Sequence, residues 1–142
     1  MMAFFPIGLF AVGATDNPVS VDSRIKTLVY SQNEIFTVVL NYGYHSYIEF
    51  AKGESVRVLA MGDSVNWKVK SVGNKLFIMP LEKNGKTNML IETNKGRSYA
   101  FDLVCLVNPE ESNDSSESSA LNVDYSVSRD LAYIIRFYYP KT

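Results

Sequence analysis

The residues of this sequence that could do chemistry are few, and the first candidate is the serine of the block Gly62-Asp63-Ser64. A serine hydroxyl becomes a nucleophile only when an adjacent base accepts its proton, and histidine is the usual base. The sequence has one histidine, His45, in a turn-like Gly-Tyr-His-Ser stretch that precedes Ser64. It also has one cysteine, Cys105. These two residues cannot supply a structural zinc site or an intrachain disulfide, so we expect neither.

The block that starts at Gly62 differs by one apolar residue from the Gly-Asp-Ser-Leu block of a serine esterase family. In that family an Asp-x-x-His pair near the C-terminus supplies the base, whereas no histidine follows Ser64 here. The pattern favours a turn between two strands, in which Asp63 and Ser64 bond to backbone groups. A small serine esterase stays open as an alternative, and it predicts Ser64 within hydrogen-bonding reach of His45 in a cleft.

The carboxylates do not suggest a catalytic pair or a cation site, because such sites hold carboxylates at a fixed separation. Five glutamates are spread over different predicted strands and turns: Glu34, Glu49, Glu54, Glu82 and Glu92. A second acidic group falls in a serine-rich segment: Glu110, Glu111, Asp114 and Glu117. The sequence also contains no phosphate-binding loop and no dinucleotide fingerprint. We therefore expect no cofactor, no metal and no enzymatic activity.

The composition indicates one β-rich globular domain. The chain has 142 residues, of which 46% are hydrophobic and 20% charged, and it contains nine Tyr and eight Phe, which favour strands. The formal net charge is −1, and Lys and Arg are scattered along the chain. A nucleic-acid partner normally requires a basic patch, so we expect no direct binding to nucleic acid.

Short β-type runs recur along the chain with turn signals between them, and no window shows a sustained helical period. The predicted strands are Ile25 to Tyr30, Ile35 to Asn41, Ser46 to Phe50, Val56 to Ala60, Trp67 to Ser71, Lys75 to Met79, Asn88 to Asn94, Ser98 to Val107 and Ala132 to Tyr139. About nine closely spaced short strands predict an all-β fold, a single antiparallel β-sandwich with no substantial helix.

Two segments fall outside the predicted strands. Residues 1–20 begin with an apolar run that ends on small residues, which is typical of a signal peptide followed by an N-terminal extension. Residues 108–120 are acidic and serine-rich, so within the domain at 21–142 we expect a disordered loop there. No run reaches the roughly 20 apolar residues of a membrane span, so we expect no transmembrane segment.

Alternation along the strands predicts which side chains face the core. In one strand Trp67 and Val69 oppose two lysines, and Cys105 alternates with core-type residues in another. In the last strand the predicted inward set is Tyr133, Ile135, Phe137 and Tyr139. The run Lys-Leu-Phe-Ile-Met from residue 75 does not alternate, so both faces of that strand require cover, and the second cover is expected to be another protein.

Taken in order, short blocks spread over the chain resemble one family. They are Asp22-Ser23-Arg24-Ile25, Tyr42-Gly43-Tyr44, Ile48-Glu49-Phe50, Gly53-Glu54, Gly62-Asp63-Ser64 with Trp67 and Val69, Gly73-Asn74, Leu76-Phe77-Ile78, Pro80-Leu81, Thr87-Asn88 through Ile91, Thr93-Asn94, Tyr99 and Phe101, and Ile134-Ile135-Arg136-Phe137 with Tyr139-Pro140. In sequence and spacing they resemble the N-terminal domain of the TrbG/CagX family, the ninth VirB-type subunit of type IV secretion systems.

The resemblance implies a non-catalytic β-sandwich subunit in the periplasm of a Gram-negative bacterium, within the ring-shaped core complex that bridges the two membranes. The implied partners are other core subunits, and copies of the chain itself or of a full-length paralogue. Family members usually continue into a second β domain that contacts a small lipoprotein. This chain stops at Thr142, which suggests a truncated paralogue and puts that contact in doubt.

Tyrosine and arginine provide large contact area with a polar tip, which suits a subunit of a ring. The interface candidates lie on predicted turns or on outward strand positions: Tyr42, Tyr44, Tyr47, Arg57, Arg136 and Tyr138. A carbohydrate-binding sandwich is a second alternative, because it would use the same tyrosines and Trp67 as sugar platforms. It predicts an aromatic concavity with a polar rim.

Overall fold

The computed structural model describes residues 22–107 and 130–141. In these residues the chain forms nine strands: β1 (Ile25–Val29), β2 (Ile35–Asn41), β3 (Ser46–Glu49), β4 (Val56–Met61), β5 (Trp67–Val72), β6 (Lys75–Pro80), β7 (Lys86–Thr93), β8 (Ser98–Leu106) and β9 (Ile134–Tyr138). Every predicted strand is present, and no end differs from its prediction by more than two residues. The leader predicted at 1–20 and the loop predicted at 108–120 lie outside the described residues.

The nine strands form two sheets. The five-stranded sheet has the order β1-β9-β3-β6-β5, and the four-stranded sheet has the order β2-β8-β7-β4. The buried side chains come from strands of both sheets and form one hydrophobic cluster. The all-β class and the β-sandwich are therefore confirmed.

The strand directions differ from the prediction, because the sheets are mixed and not purely antiparallel. Four pairings are antiparallel, β3–β6, β5–β6, β4–β7 and β7–β8. Three are parallel, β1–β9, β3–β9 and β2–β8. A tight hairpin forces consecutive strands to run antiparallel, but strands far apart in sequence pair in either direction. Alternation of apolar residues is the same in both cases, so the sequence pattern could not distinguish them.

The core follows the predicted alternation except just before β9, where Ala132 is buried in the core and Tyr133, predicted to face inward, stacks on Tyr44 instead. Trp67 is 4% exposed, and Ile135 and Cys105 are buried. Phe137 is half-buried, and its ring lies 5.0 Å from that of Phe36 and 5.2 Å from that of Tyr99, measured between centroids. Burial raises the pKa of the Cys105 thiol, which opposes formation of a reactive thiolate. Cys105 is thus a core residue, as predicted.

Two turns between strands depend on glycine. Gly53 and Gly73 have φ values of 80° and 59°, in the left-handed region that residues with a Cβ rarely adopt. Gly53 lies between β3 and β4, and Gly73 joins β5 to β6. These turns place β5 at the edge of the five-stranded sheet and lead the chain into β4 at the edge of the four-stranded sheet.

Candidate protein-interaction surfaces

The serine block is a structural turn between β4 and β5. The carboxylate of Asp63 accepts hydrogen bonds from the backbone N–H groups of Val65 and Asn66 at 3.0 and 3.1 Å, and from the Asn66 side chain at 2.9 Å. The hydrogen bonds from Asn66 lower the pKa of Asp63, so the carboxylate is ionised at neutral pH. The predicted turn at Asp63 is confirmed. Ser64 is exposed in this turn, while His45 lies between β2 and β3 and lines a groove with residues of β5 and β6.

The densest polar cluster surrounds Glu54, whose side chain is fully buried. One carboxylate oxygen accepts hydrogen bonds from the hydroxyl groups of Thr93 and Tyr99, at 2.6 and 3.0 Å. The other accepts hydrogen bonds from the Ala51 backbone N–H at 3.1 Å and from Arg97 Nη1 at 2.9 Å. Each oxygen therefore has two donors, and the carboxylate joins the β3–β4 turn to the β7–β8 hairpin.

The charge state of Glu54 follows from these contacts. Burial alone would raise its pKa, but the hydrogen bonds from Thr93, Ala51 and Tyr99 and the charge of Arg97 outweigh burial and lower the pKa. Burial, together with the hydrogen bond between Tyr99 and Tyr139, raises the pKa of the Tyr99 hydroxyl. The Tyr99 hydroxyl therefore stays protonated near neutral pH and can donate to Glu54. The cluster is an ion pair with neutral donors, and its hydrogen-bonding capacity is used inside the fold.

The C-terminal end of β9 is attached to the same cluster. The hydroxyl groups of Tyr99 and Tyr139 are 2.7 Å apart, and the Ala51 N–H also donates to Tyr139 at 3.2 Å. The guanidinium of Arg97 lies 4.1 Å from the centroid of the Tyr139 ring, a cation–π distance. Glu54 therefore joins parts of the chain far apart in sequence. The sequence interpretation treated it as one of five scattered carboxylates and missed this role.

Three of the predicted interface residues share the outer face of the five-stranded sheet. Tyr47 is outward on β3, and its ring lies 5.4 Å from that of Phe77. Arg136 is outward on β9 and pairs with Glu49 at 3.4 Å. Tyr138, at the end of the same strand, is 58% exposed. The fold brings these three residues to one surface, an arrangement compatible with a role in contacting another protein.

The other three candidates lie elsewhere. Tyr44, at one end of the five-stranded sheet, stacks on Tyr133 with 5.8 Å between ring centroids. Tyr42 packs against the core, with Lys83 Nζ 5.6 Å from its ring centroid. Arg57 is the extra residue of a bulge in β4, an edge strand of the four-stranded sheet. The six residues therefore do not form one site, and the interface role of each stays a prediction.

The outer face of the five-stranded sheet carries a row of apolar side chains. Strand register aligns Ile25, Ile134, Tyr47 and Phe77 across four strands, and Lys70 of β5 continues the row. Beside this row a shallow groove of about 540 Å³ is lined by His45, Lys68, Lys70, Val72 and Phe77. The second cover predicted for β6 would lie on this face.

The outer face of the four-stranded sheet also has an apolar row, formed by Ile35, Ala100, Leu90 and Ala60. Ile35 is 64% and Leu90 49% exposed. The sugar-binding alternative predicted Trp67 as a platform for a sugar. Trp67 lies in the core between the sheets and not on either outer face, so it cannot serve as that platform. Exposed rows of this kind commonly mark surfaces that contact other proteins.

Two further findings concern the described residues alone. In residues 22–107 and 130–141 no helix is long and apolar enough to cross a membrane. The same residues contain no group of three or more His, Cys, Asp or Glu side chains arranged to hold a metal ion.

The fold and these surfaces define a class of protein, an all-β two-sheet domain with an internal carboxylate cluster and apolar outer faces. The family described as "Conjugal transfer protein", CagX, matches residues 23–142. Because the match covers more than half of the chain, the chain belongs to the CagX family. The matched range includes all nine strands of the described fold.

Two curated relatives are similar over most of the chain. One is the type IV secretion system protein virB9 of Bartonella quintana (strain Toulouse), 28% identical over 141 residues, or 95% of this chain and 43% of that protein. The other is the protein of the same description from Bartonella henselae (Houston 1), 28% identical over 130 residues, or 87% of this chain and 40% of that protein. The chain thus spans less than half the length of these relatives.

Among solved structures, a 2,6-sialyltransferase from Photobacterium aligns with 60% of this chain and 18% of its own, at 14% identity and a TM-score of 0.32. A similarity this weak carries no argument about fold or function.

Proposed function

We propose that this chain is a structural, non-catalytic subunit of a type IV secretion system, and that it works in the periplasmic core complex. The observation that carries the proposal is the CagX match, which extends over residues 23–142 and so includes all nine strands. The relatives described as virB9 align along the same domain. Their description connects the domain with type IV secretion.

The geometry supports a structural role. The buried carboxylate of Glu54 has its four hydrogen bonds inside the fold, and Asp63 is used to close a turn. The outer faces of both sheets carry apolar rows. These two carboxylates therefore stabilise the domain, and the apolar outer faces are available for contact with other subunits. We propose other core subunits and further copies of this chain as those partners.

The test is affinity capture of the tagged chain from envelope extracts of its own organism in mild detergent, followed by sizing and mass spectrometry. Recovery in one large particle with other type IV secretion subunits is expected. A Phe101→Ala variant, which removes a core ring and should destabilise the domain, is the control for non-specific recovery. A folded wild-type chain that is recovered alone as a monomer would refute the proposal. Protease accessibility in spheroplasts with an intact inner membrane tests the periplasmic location.

A further inference from the structure

The outer face of the five-stranded sheet has an unequal distribution of charge. Its outward strand positions hold four cations, Lys68, Lys70, Lys75 and Arg136, and one carboxylate, Glu49. Glu49 pairs with Arg136 at 3.4 Å and lies opposite Lys75 in the register. The single carboxylate pairs with Arg136, and Lys75 Nζ lies 5.0 Å from the centroid of the Tyr47 ring. The lysines of β5 therefore add to an excess of positive charge on this face.

The outer face of the four-stranded sheet has no such excess of positive charge. Its outward strand positions hold one cation, Lys86, and two carboxylates, Glu92 and Asp102, and the exposed Arg57 of the β4 bulge adds a second cation. Both faces carry an apolar row, so the difference between them is electrostatic. A partner that binds the five-stranded face should therefore be chosen by charge.

Edge protection is a competing reason for the lysines of β5. Lysine on an edge strand discourages pairing with another chain, and β5 is an edge strand. Edge protection requires only a charge at these positions. It does not account for a groove in which Lys68, Lys70 and His45 surround the apolar side chains of Val72 and Phe77.

We propose that this groove binds an acidic polypeptide segment of another protein subunit. Apolar residues of the segment would cover Val72 and Phe77, and its carboxylates would pair with Lys68 and Lys70. A nucleic-acid backbone fits less well, because it would place phosphates on an apolar floor and near Glu49. The assignment of the partner to the same secretion complex rests on the proposed function, whereas the preference for acidic polypeptide does not.

The first test measures binding of fluorescent probes to the purified full chain by anisotropy. Two twelve-residue peptides with identical apolar positions are compared, one with glutamate and one with lysine at the remaining positions, together with an oligothymidylate 15-mer. We expect the glutamate peptide to bind about tenfold more tightly than the lysine peptide, with an affinity that falls as salt rises. Equal binding of the two peptides would overturn the proposal.

Charge reversal separates docking from edge protection. The double variant Lys68→Glu/Lys70→Glu keeps a charge at both edge positions, so edge protection alone predicts no change in peptide preference. The proposal predicts that the preference for the glutamate peptide disappears. The matched control Lys86→Glu/Lys95→Glu makes the same change in net charge at exposed positions away from this face and should keep the preference. The proposal would be contradicted if both double variants lost the preference for the glutamate peptide equally. It would also be contradicted if the chain bound the oligothymidylate and only the β5 variant lost that binding.

A second measurement identifies the partner in the assembled particle. A photoreactive amino acid replaces Val72, which is exposed and lines the groove, and another replaces Leu90 on the opposite sheet. We expect the segment crosslinked at position 72 to be rich in Asp and Glu, and the crosslink to be lost in Lys68→Glu/Lys70→Glu. A recovered particle with a neutral or basic segment at position 72 would overturn the inference and leave the proposed function intact. Absence of the particle would refute the proposed function instead, and the peptide measurement would still decide the inference.

Discussion

Replacement of Glu54 by glutamine is the most informative perturbation of the fold. The side chain keeps its size but loses its charge, and one acceptor oxygen becomes an NH₂ donor. The hydroxyl groups of Thr93 and Tyr99 can rotate and accept hydrogen bonds from that NH₂. The NH₂ should therefore take the place of Oε2, the oxygen to which both hydroxyls donate in the wild type. Arg97 and the Ala51 N–H would then keep an acceptor, but a neutral one. The variant should therefore fold, with weaker hydrogen bonds throughout the cluster.

The size of the effect follows from those four hydrogen bonds. A hydrogen bond to a charged group contributes about 1.5 to 3 kcal/mol and a neutral one about 0.5 to 1.5 kcal/mol. Removing the charge also removes the cost of burying it, which offsets part of the loss in hydrogen bonding. We therefore expect a net loss of about 2 to 3 kcal/mol in the free energy of unfolding. For a domain of this size the melting temperature should fall by roughly 10 to 20 °C.

The assay is urea unfolding of wild type and Glu54→Gln followed by circular dichroism between pH 7 and pH 3. Because the folded-state pKa of Glu54 lies below its ordinary value of 4.5, the carboxylate stabilises the fold above that pH. This contribution is lost as the pH falls through the folded-state pKa, so the two proteins should converge in acid. The matched control is Glu49→Gln, which removes a partly exposed ion pair with Arg136 and should cost no more than about 0.5 kcal/mol. Equal stability of wild type and Glu54→Gln at pH 7 would refute the reasoning.

Three further predictions concern the core and the turns. Phe101→Ala should cost about 3 to 5 kcal/mol in chemical denaturation, because it empties a fully buried ring position; a cost below 1 kcal/mol would contradict the packing. Gly73→Ala should cost about 1 to 2 kcal/mol because φ is +59°, whereas Gly85→Ala, with an ordinary Cβ contact at 3.8 Å, should be neutral; equal effects would refute this explanation. Asp63→Ala should lower the melting temperature and Ser64→Ala should not; the reverse order would refute the explanation that Asp63 holds this turn.

The strands could be predicted from the sequence because local signals define them. In β5 the alternation of Trp67 and Val69 with two lysines gives both the strand and its inward face. Gly73 marks the following reversal, because glycine readily adopts the positive φ that this turn has. The parallel pairing of β2 with β8 could not be predicted, because the two strands are far apart in sequence. Their alternation of apolar and polar residues would be the same in a parallel and an antiparallel pair.

The candidate surfaces were predicted only in part, for a related reason. Alternation shows that Lys68 and Lys70 face outward, but not that strand order brings them beside Phe77 and His45. Glu54 was missed because its donors come from different parts of the chain and are assembled only by tertiary structure. The available signal was its place next to Gly53, in a short block shared with the family.

The two charged features of the domain make separable demands, and this separation allows assembly and stability to be tested independently. The Glu54 cluster is internal, so its loss should weaken folding without altering which partner binds. The lysines of β5 are exposed, so their reversal should alter binding with little effect on unfolding. A protein in which Lys68→Glu/Lys70→Glu destabilised the fold as much as Glu54→Gln would need those lysines for folding itself. In that case the charge of the five-stranded face would be explained by the sheet and not by a partner.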